Sequence, residues 1–206
     1  PGDAFARLPS GNYLLAPERG REGYDLLIAD LMQRGLAPSR IAHFWLLTAD
    51  ETHRPGSSFF HRVQEQGFYS LLFLAQALEG EDLPRPVHLT VLTNGAAQVR
   101  DEPLRHPEKA TLAGPARVIP REVQGVTVST LDLQVPARPE APFWARAKAM
   151  HAYEDARAAL HTQLLEELLS APANCIAALR GPRRYARSMT QAPLPPAPQT
   201  QAGGVV

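Results

Sequence analysis

Five tyrosines, seven histidines, a single cysteine and a cluster of arginines are the side chains of this 206-residue chain with the most chemical potential. Reduction of a carbonyl by a nicotinamide on an α/β fold uses a Tyr with a Lys four residues later, because the ammonium lowers the phenol pKa so that it can protonate the forming alkoxide. The positions four residues after Tyr13, Tyr24, Tyr69, Tyr153 and Tyr185 hold Pro17, Ile28, Phe73, Arg157 and Met189. None is Lys, and Arg157, with a different geometry, is expected on a solvated helix face. His43, His53, His61, His88, His106, His151 and His161 form neither H-x-x-x-H nor H-E-x-x-H, so no metal site is predicted. Cys175 lies in the apolar run Asn174–Ala177 and is expected to act as a small, inert hydrophobe. No serine stands in a G-x-S-x-G elbow.

Arg180, Arg183, Arg184 and Arg187 surround Tyr185. Their density suggests either a solvated strand edge or a docking contact for an acidic domain or a phosphate, and these four are the candidate docking residues. Phe59, Phe60, Phe68, Tyr69 and Phe73 fall at helical spacing and are expected in a core rather than around a ligand.

The elements that would position these groups alternate in type. Asn12–Ala16, Arg40–Thr48, Pro86–Thr93, Val126–Val135 and Asn174–Leu179 are short apolar runs that read as strands, with Tyr185–Met189 a possible sixth. Helices are predicted over 20–34, ended by Gly35, over 59–79, capped by Ser57 or Ser58, over part of 107–122, where Gly114-Pro115 could distort it, and over 143–170. The order βαβαβαβαβ predicts a doubly wound, mostly parallel sheet of five to six strands with helices on both faces. On such a sheet a dinucleotide needs glycines where the first strand turns into its helix, so that the backbone can approach the pyrophosphate. The first turn, Ala16-Pro17-Glu18-Arg19-Gly20-Arg21-Glu22-Gly23, has the wrong glycine spacing and two acids that repel phosphate, the second, 49–58, has one glycine, and no G-x-x-x-x-G-K-[ST] exists. No catalytic, cofactor-binding or metal residues are therefore assigned.

Composition bounds the rest. Hydrophobic residues make up 44%, enough for a core, and 21 Lys and Arg balance 21 Asp and Glu, which removes the electrostatic case for nucleic acid or an anionic membrane. No apolar run reaches the roughly 20 residues of a membrane span, and no signal peptide is evident. With one cysteine no internal disulfide can form, and a cytoplasmic setting is expected. The absent initiator Met and the proline cluster at 193–198 suggest a piece of a longer chain.

Several stretches together resemble the structural subdomain of the ketoreductase in type I polyketide synthases. Ile41-Ala42-His43-Phe44-Trp45 resembles the family's I-V-H-L-W strand, and the segment from Gln66 to Leu78 resembles the helix that follows it. Thr93-Asn94-Gly95 follows the next strand as in the family, the run from His106 to Glu122 resembles a helix ending in G-P-x-x-V-I-P-x-E, and the run from Ala178 to Tyr185 resembles a Y-R-G-x-x-R-W exit. The resemblance implies a truncated Rossmann-like half that has lost its cofactor site and braces a second half. That second half binds NADPH and reduces β-ketoacyl groups carried on the phosphopantetheine of an acyl carrier protein. It also implies a layout of linker over 1–11, subdomain over 12–190 and a Pro-rich linker over 191–206. That linker would lead to the catalytic half, whose first strand Ala202–Val206 resembles in its lead-in, or to an inserted domain. The expected partners are the catalytic half, neighbouring synthase domains and acyl carrier protein. Alternatives are a stand-alone pseudo-ketoreductase scaffold or carrier-docking module beside a methyltransferase, dehydratase or enoylreductase, and a free-standing enzyme of unknown chemistry. The chain alone is expected to be inactive.

Overall fold

The structure, a computed structural model, describes residues 4–48 and 57–193. Two strands, β1 (Ala6–Arg7) and β2 (Tyr13–Leu14), form a small antiparallel hairpin that precedes helix α1 (Glu22–Gln33). This corrects the expectation for Asn12–Ala16: that run does not enter the main sheet, because its strand pairs with Ala6–Arg7 and half-buries against α1 instead. The hairpin also draws part of the expected 1–11 linker into the fold. Tyr13 donates its phenol hydrogen to Asp30 and accepts from Arg34 at 2.9 Å, which ties the hairpin to α1. Gly35 ends the helix region with φ +67, a left-handed conformation that costs glycine little, and the Gly35 and Leu36 amides return to Met32 and Leu31.

The main sheet contains β3 (Arg40–Leu46), β4 (Val87–Thr93), β5 (Val126–Leu133), β6 (Cys175–Arg180) and β7 (Arg183–Ala186), in that spatial order. The first four are parallel, and β7 folds back antiparallel on β6. Interior strand β4 is buried along its whole length, as the β-branched run Val-His-Leu-Thr-Val-Leu-Thr anticipates for a strand covered on both faces.

Between β3 and β4 runs one nearly continuous helix: α2 (Ser57–Gln64), a π-helical turn (Glu65–Tyr69) and α3 (Ser70–Gly80). The side chains of Ser57 and Ser58, the expected caps, lie outside the described residues, as does the loop before them. The wide turn falls at Gly67, where an added Cβ would stand 2.8 Å from Cδ1 of the buried Leu46. Absence of a side chain there lets the helix lie directly on β3. A 3-10 turn (Pro107–Leu112) leads into α4 (Ala113–Glu122); Pro115 falls in the first helical turn, where its missing N–H costs little, and the helix runs on past it to a second proline, Pro120, in its last turn. The last crossover is α5 (Phe143–Leu169), 27 residues long.

Two cores result. Val87, Leu89, Val91, Val126 and Val128 face α1 to α4, with Tyr24, Ile28, Leu71, Leu78, Ala116 and Ile119 among the fully covered residues. On the other face Leu92, Leu131, Leu133, Ala177 and Leu179 meet Leu160, Leu164 and Leu168 of α5. Helices thus cover both faces of the five-stranded sheet, as the βα alternation implied. Because the strands advance in one direction throughout, the β5–β6 connection, on the second face, winds with the opposite hand to the two on the first.

Candidate functional site: the crevice at the strand ends

After β4 the chain turns to the first face, and after β5 it turns to the second. Where neighbouring connections part in this way a crevice opens above the carboxyl ends of the strands, the place where α/β sheets usually hold a ligand. Here it is a cleft of about 330 Å³ bordered by Thr48, Asn94, Gly95, Glu102, Gln134 and Arg180, with Arg105 and Arg138 at its edge.

The polar groups at its floor bond to one another. Arg180, at the end of β6, places Nε 2.9 Å from both Glu102 carboxylate oxygens and Nη2 2.7 Å from Glu102 Oε1 and 2.8 Å from Asp132 Oδ2. Its remaining hydrogens reach the carbonyls of Ala97, Asp132 and Leu179. Asp132, 4% exposed, uses its other oxygen to accept from Thr93 Oγ1 at 2.7 Å and the Ala96 amide at 2.8 Å. One guanidinium therefore binds the loop after β4 to β5 and β6. Burial works against its charge, but the hydrogen bonds to Glu102 and Asp132 outweigh that and raise its pKa, and the same contact lowers that of Glu102.

Lys109 forms the second tie. Its side chain is fully buried, and Nζ donates to the Leu46 carbonyl (3.0 Å), Thr48 Oγ1 (2.8 Å), the Asn94 carbonyl (3.0 Å) and Asn94 Oδ1 (2.7 Å). Asn94 in turn spans the backbone N–H and C=O of Thr48. The ends of β3 and β4 are thus joined through an ammonium and an amide.

The arginine cluster divides. Arg180 points inward. Arg184 pairs with Glu167 of α5 at 2.5 Å, which raises its pKa, and lies 3.8 Å from the half-buried Cys175. Arg183 and Arg187 are exposed. Among the aromatics, Phe59 is buried and Phe73 packs against the core, while Phe60 and Tyr69 are about half exposed. Arg157 lies on the exposed surface of α5 and stacks over Tyr153. The second strand–helix turn, 49–56, lies outside the described residues.

The histidines occupy unrelated places. His43 of β3 is buried, with Nε2 2.5 Å from Ser70 Oγ, and Ser70 donates to the Gln66 carbonyl at 2.7 Å, so His43 donates to Ser70 and Nδ1 carries the lone pair. Burial lowers its pKa to about 4, and burial likewise raises that of nearby Tyr24 to about 12. His88, on the second face, bonds to Thr127 (2.7 Å) and Ser129 (3.2 Å), and partial burial followed by the charge of Arg40 lowers its pKa. His106 meets Glu108 at 3.1 Å, and His151 meets Asp155 on the helix surface. Among the described residues no three metal-ligating side chains converge.

Sequence reasoning missed Lys109, Glu102 and Asp132. The signal available was a charged residue inside an otherwise apolar segment: Asp132 interrupts Leu131 and Leu133.

The fold and the crevice define a Rossmann-like α/β unit whose strand-end crevice is bridged by its own ion pairs. The chain belongs to the family described as beta-ketoacyl synthase-like, N-terminal, which its residues 1–140 match. Comparison with curated proteins finds no match. Among solved structures it is similar to part of a keto acid-selecting NRPS module containing adenylation, ketoreductase and pseudo Asub parts, with 24% identity, TM-score 0.68, and 89% of this chain covered. It is also similar to an N-terminal ketoreductase from a macrolactin assembly line (17%, TM-score 0.54, 90% covered) and to a short-chain dehydrogenase from Mycobacterium avium (14%, TM-score 0.52, 90% covered). It spans 14%, 33% and 64% of those chains. At these identities the likeness is one of fold. No helix among the described residues is long and apolar enough to cross a membrane.

Proposed function

We propose that this chain is a non-catalytic structural subdomain that braces the NADPH-dependent ketoreductase half of a polyketide synthase, a cytoplasmic multienzyme. The reaction it supports is reduction of β-ketoacyl groups held on the phosphopantetheine of acyl carrier protein. The observation that carries this reading is the crevice. Arg180, Glu102 and Asp132 at the crevice satisfy one another, the buried Lys109 ties Leu46, Thr48 and Asn94, and together these two ties fasten the ends of β3, β4, β5 and β6. A brace needs that rigidity, since a neighbouring active site must be held to within about half an ångström. A family description drawn from the synthase and a fold shared with reductases agree if both activities belong to one polypeptide. The layout proposed with it is a subdomain over 12–190, onto whose first strand Ala6–Arg7 pairs, with 191–206 leading onward to the reductase half or to an inserted domain. Exposure of Arg183, which opens the edge strand β7, and of Arg187, just past its end, favours a second, smaller role in docking the acidic carrier.

The test is reconstitution. The coding sequence beyond Val206 is expected to continue into a strand followed by T-G-G-x-G-G-x-G. That half, produced alone, should be unstable and slow to reduce a β-ketoacyl thioester, and addition of the present chain should restore both properties. A downstream half that is fully active alone overturns the brace. Charge reversal at Arg183 and Arg187 should weaken carrier affinity, and an unchanged affinity removes the docking role.

A further inference from the structure

On the second face of the sheet, beneath the C-terminal end of α5, lies a cavity of about 110 Å³ that shares no lining residue with the crevice. That volume is well below the roughly 300 Å³ at which pockets for larger ligands begin. Thr90, Ser129 and Cys175 stand in one row across β4, β5 and β6 as register partners, and their short side chains leave the space open. Cys175 is half-buried, and Ser170, Ala171 and Ala173 at the rim are exposed, so small solutes reach the sulfur. Arg184 Nη2 donates to Cys175 Sγ at 3.8 Å, and the Arg184 pKa is raised first by Glu167 and further by Cys175. Arg40, bonded to the Leu168 and Ser170 carbonyls, brings a second guanidinium to the same end of α5. Beside the thiol, Ser129 Oγ lies 3.2 Å from His88 Nε2, and His88 Nδ1 lies 2.7 Å from Thr127 Oγ1. This chain of hydrogen bonds leads from the cavity to the half-buried Thr127.

We propose that this cavity is a site of reversible oxidation, where hydrogen peroxide converts Cys175 to a sulfenic acid. A cysteine is oxidised readily when it is partly exposed and beside a cation that favours its thiolate, and the Arg184 bond and the open rim supply both conditions. The apolar run Asn174–Ala177 hides this, because Arg184 reaches the sulfur only once β7 folds back on β6. The thiolate attacks one peroxide oxygen. The S–O bond forms, the O–O bond breaks, sulfur loses two electrons and the peroxide gains them. The departing oxygen leaves as water after taking a proton from Ser129, which is resupplied from His88 Nε2, while His88 takes one from Thr127 at Nδ1. That proton replaces the one the thiol gave up to solvent, so the sum is thiol plus peroxide giving sulfenic acid plus water. With one cysteine in the chain no internal disulfide can follow. A small thiol from solution condenses with the sulfenic acid, releasing water, and a second thiol displaces the resulting mixed disulfide to free Cys175.

Because Cys175 is the only thiol, its loss in the full 206-residue chain, with dimedone trapping the sulfenic acid for intact mass, reports this site alone. Oxidation by hydrogen peroxide is expected to be about tenfold or more faster than that of free cysteine at the same pH, and dithiothreitol should return the thiol. Ser129→Ala should slow oxidation about tenfold and leave alkylation by iodoacetamide unchanged, since iodide departs without a proton. Ser129→Thr, which keeps a hydroxyl, should retain the wild-type rate. Arg184→Met should slow both reactions, and its side chain, 44% exposed, keeps the test available should Ser129→Ala unfold the chain. Oxidation no faster than that of free cysteine overturns the proposal. So does a Ser129→Ala chain in which oxidation and alkylation slow together, since the hydroxyl then governs access alone, or an Arg184→Met chain with both rates unchanged.

Discussion

Arg180 stands at the junction of three segments, and its removal separates the contributions to the crevice. Arg180→Ala leaves Asp132, at 4% exposure, and Glu102 without their cation, and breaking such a pair from one side costs about 3 kcal/mol. Arg180→Lys should recover less than half of this, because an ammonium cannot address Glu102 and Asp132 with one planar fork. Urea denaturation midpoints check both values. His43 makes a second prediction, with a sign set by burial. Its folded-state pKa, about 4, lies below the unfolded value of about 6.5, so the neutral ring is favoured on folding. Stability is therefore fully present above about pH 6.5 and falls by up to about 3 kcal/mol as pH drops towards 4. Glu102, whose folded pKa is also lowered, adds loss in the same direction as its pairing with Arg180 is protonated away. Replacing His43 with Phe should flatten the curve between pH 6.5 and 4, and an unchanged slope would show that another group dominates acid unfolding.

At the scale of elements, the seat of the α2–α3 helix on β3 depends on Gly67. Gly67→Ala drives a methyl to 2.8 Å from Leu46 Cδ1, and since Leu46 is fully buried it has little space to yield. A loss of about 1–3 kcal/mol is expected, read as a lower thermal midpoint. Most of these elements were legible in sequence because their signals are local. Tyr24, Ile28 and Leu31 repeat at helical spacing, and the β4 run is rich in β-branched residues. The π-helical turn was not legible, since Gly67 shows its purpose only against Leu46 across the layer. Nor was the detachment of Tyr13–Leu14, because an apolar run does not specify which strand it pairs with.

For the whole molecule, the bridged crevice implies that NADPH added to the isolated chain shows no saturable binding below the millimolar range, about −4 kcal/mol at the 1 M standard state. Isothermal titration tests this, and micromolar binding would require that the Arg180 clasp open to admit a nucleotide. The amino-acid sequence by itself determined the element types, the alternation that makes a layered α/β sheet, the missing glycine turn and the missing Tyr–Lys pair. These depend on residues within a few positions of one another. Only the tertiary structure decided that β4 and β5 send their chains to opposite faces, that the resulting crevice exists, and that Arg180 meets Glu102 and Asp132 from 78 and 48 residues away. Hydrophobic periodicity identifies a buried face, but the partner that buries it, and the charge that a buried arginine needs, are chosen by packing through space.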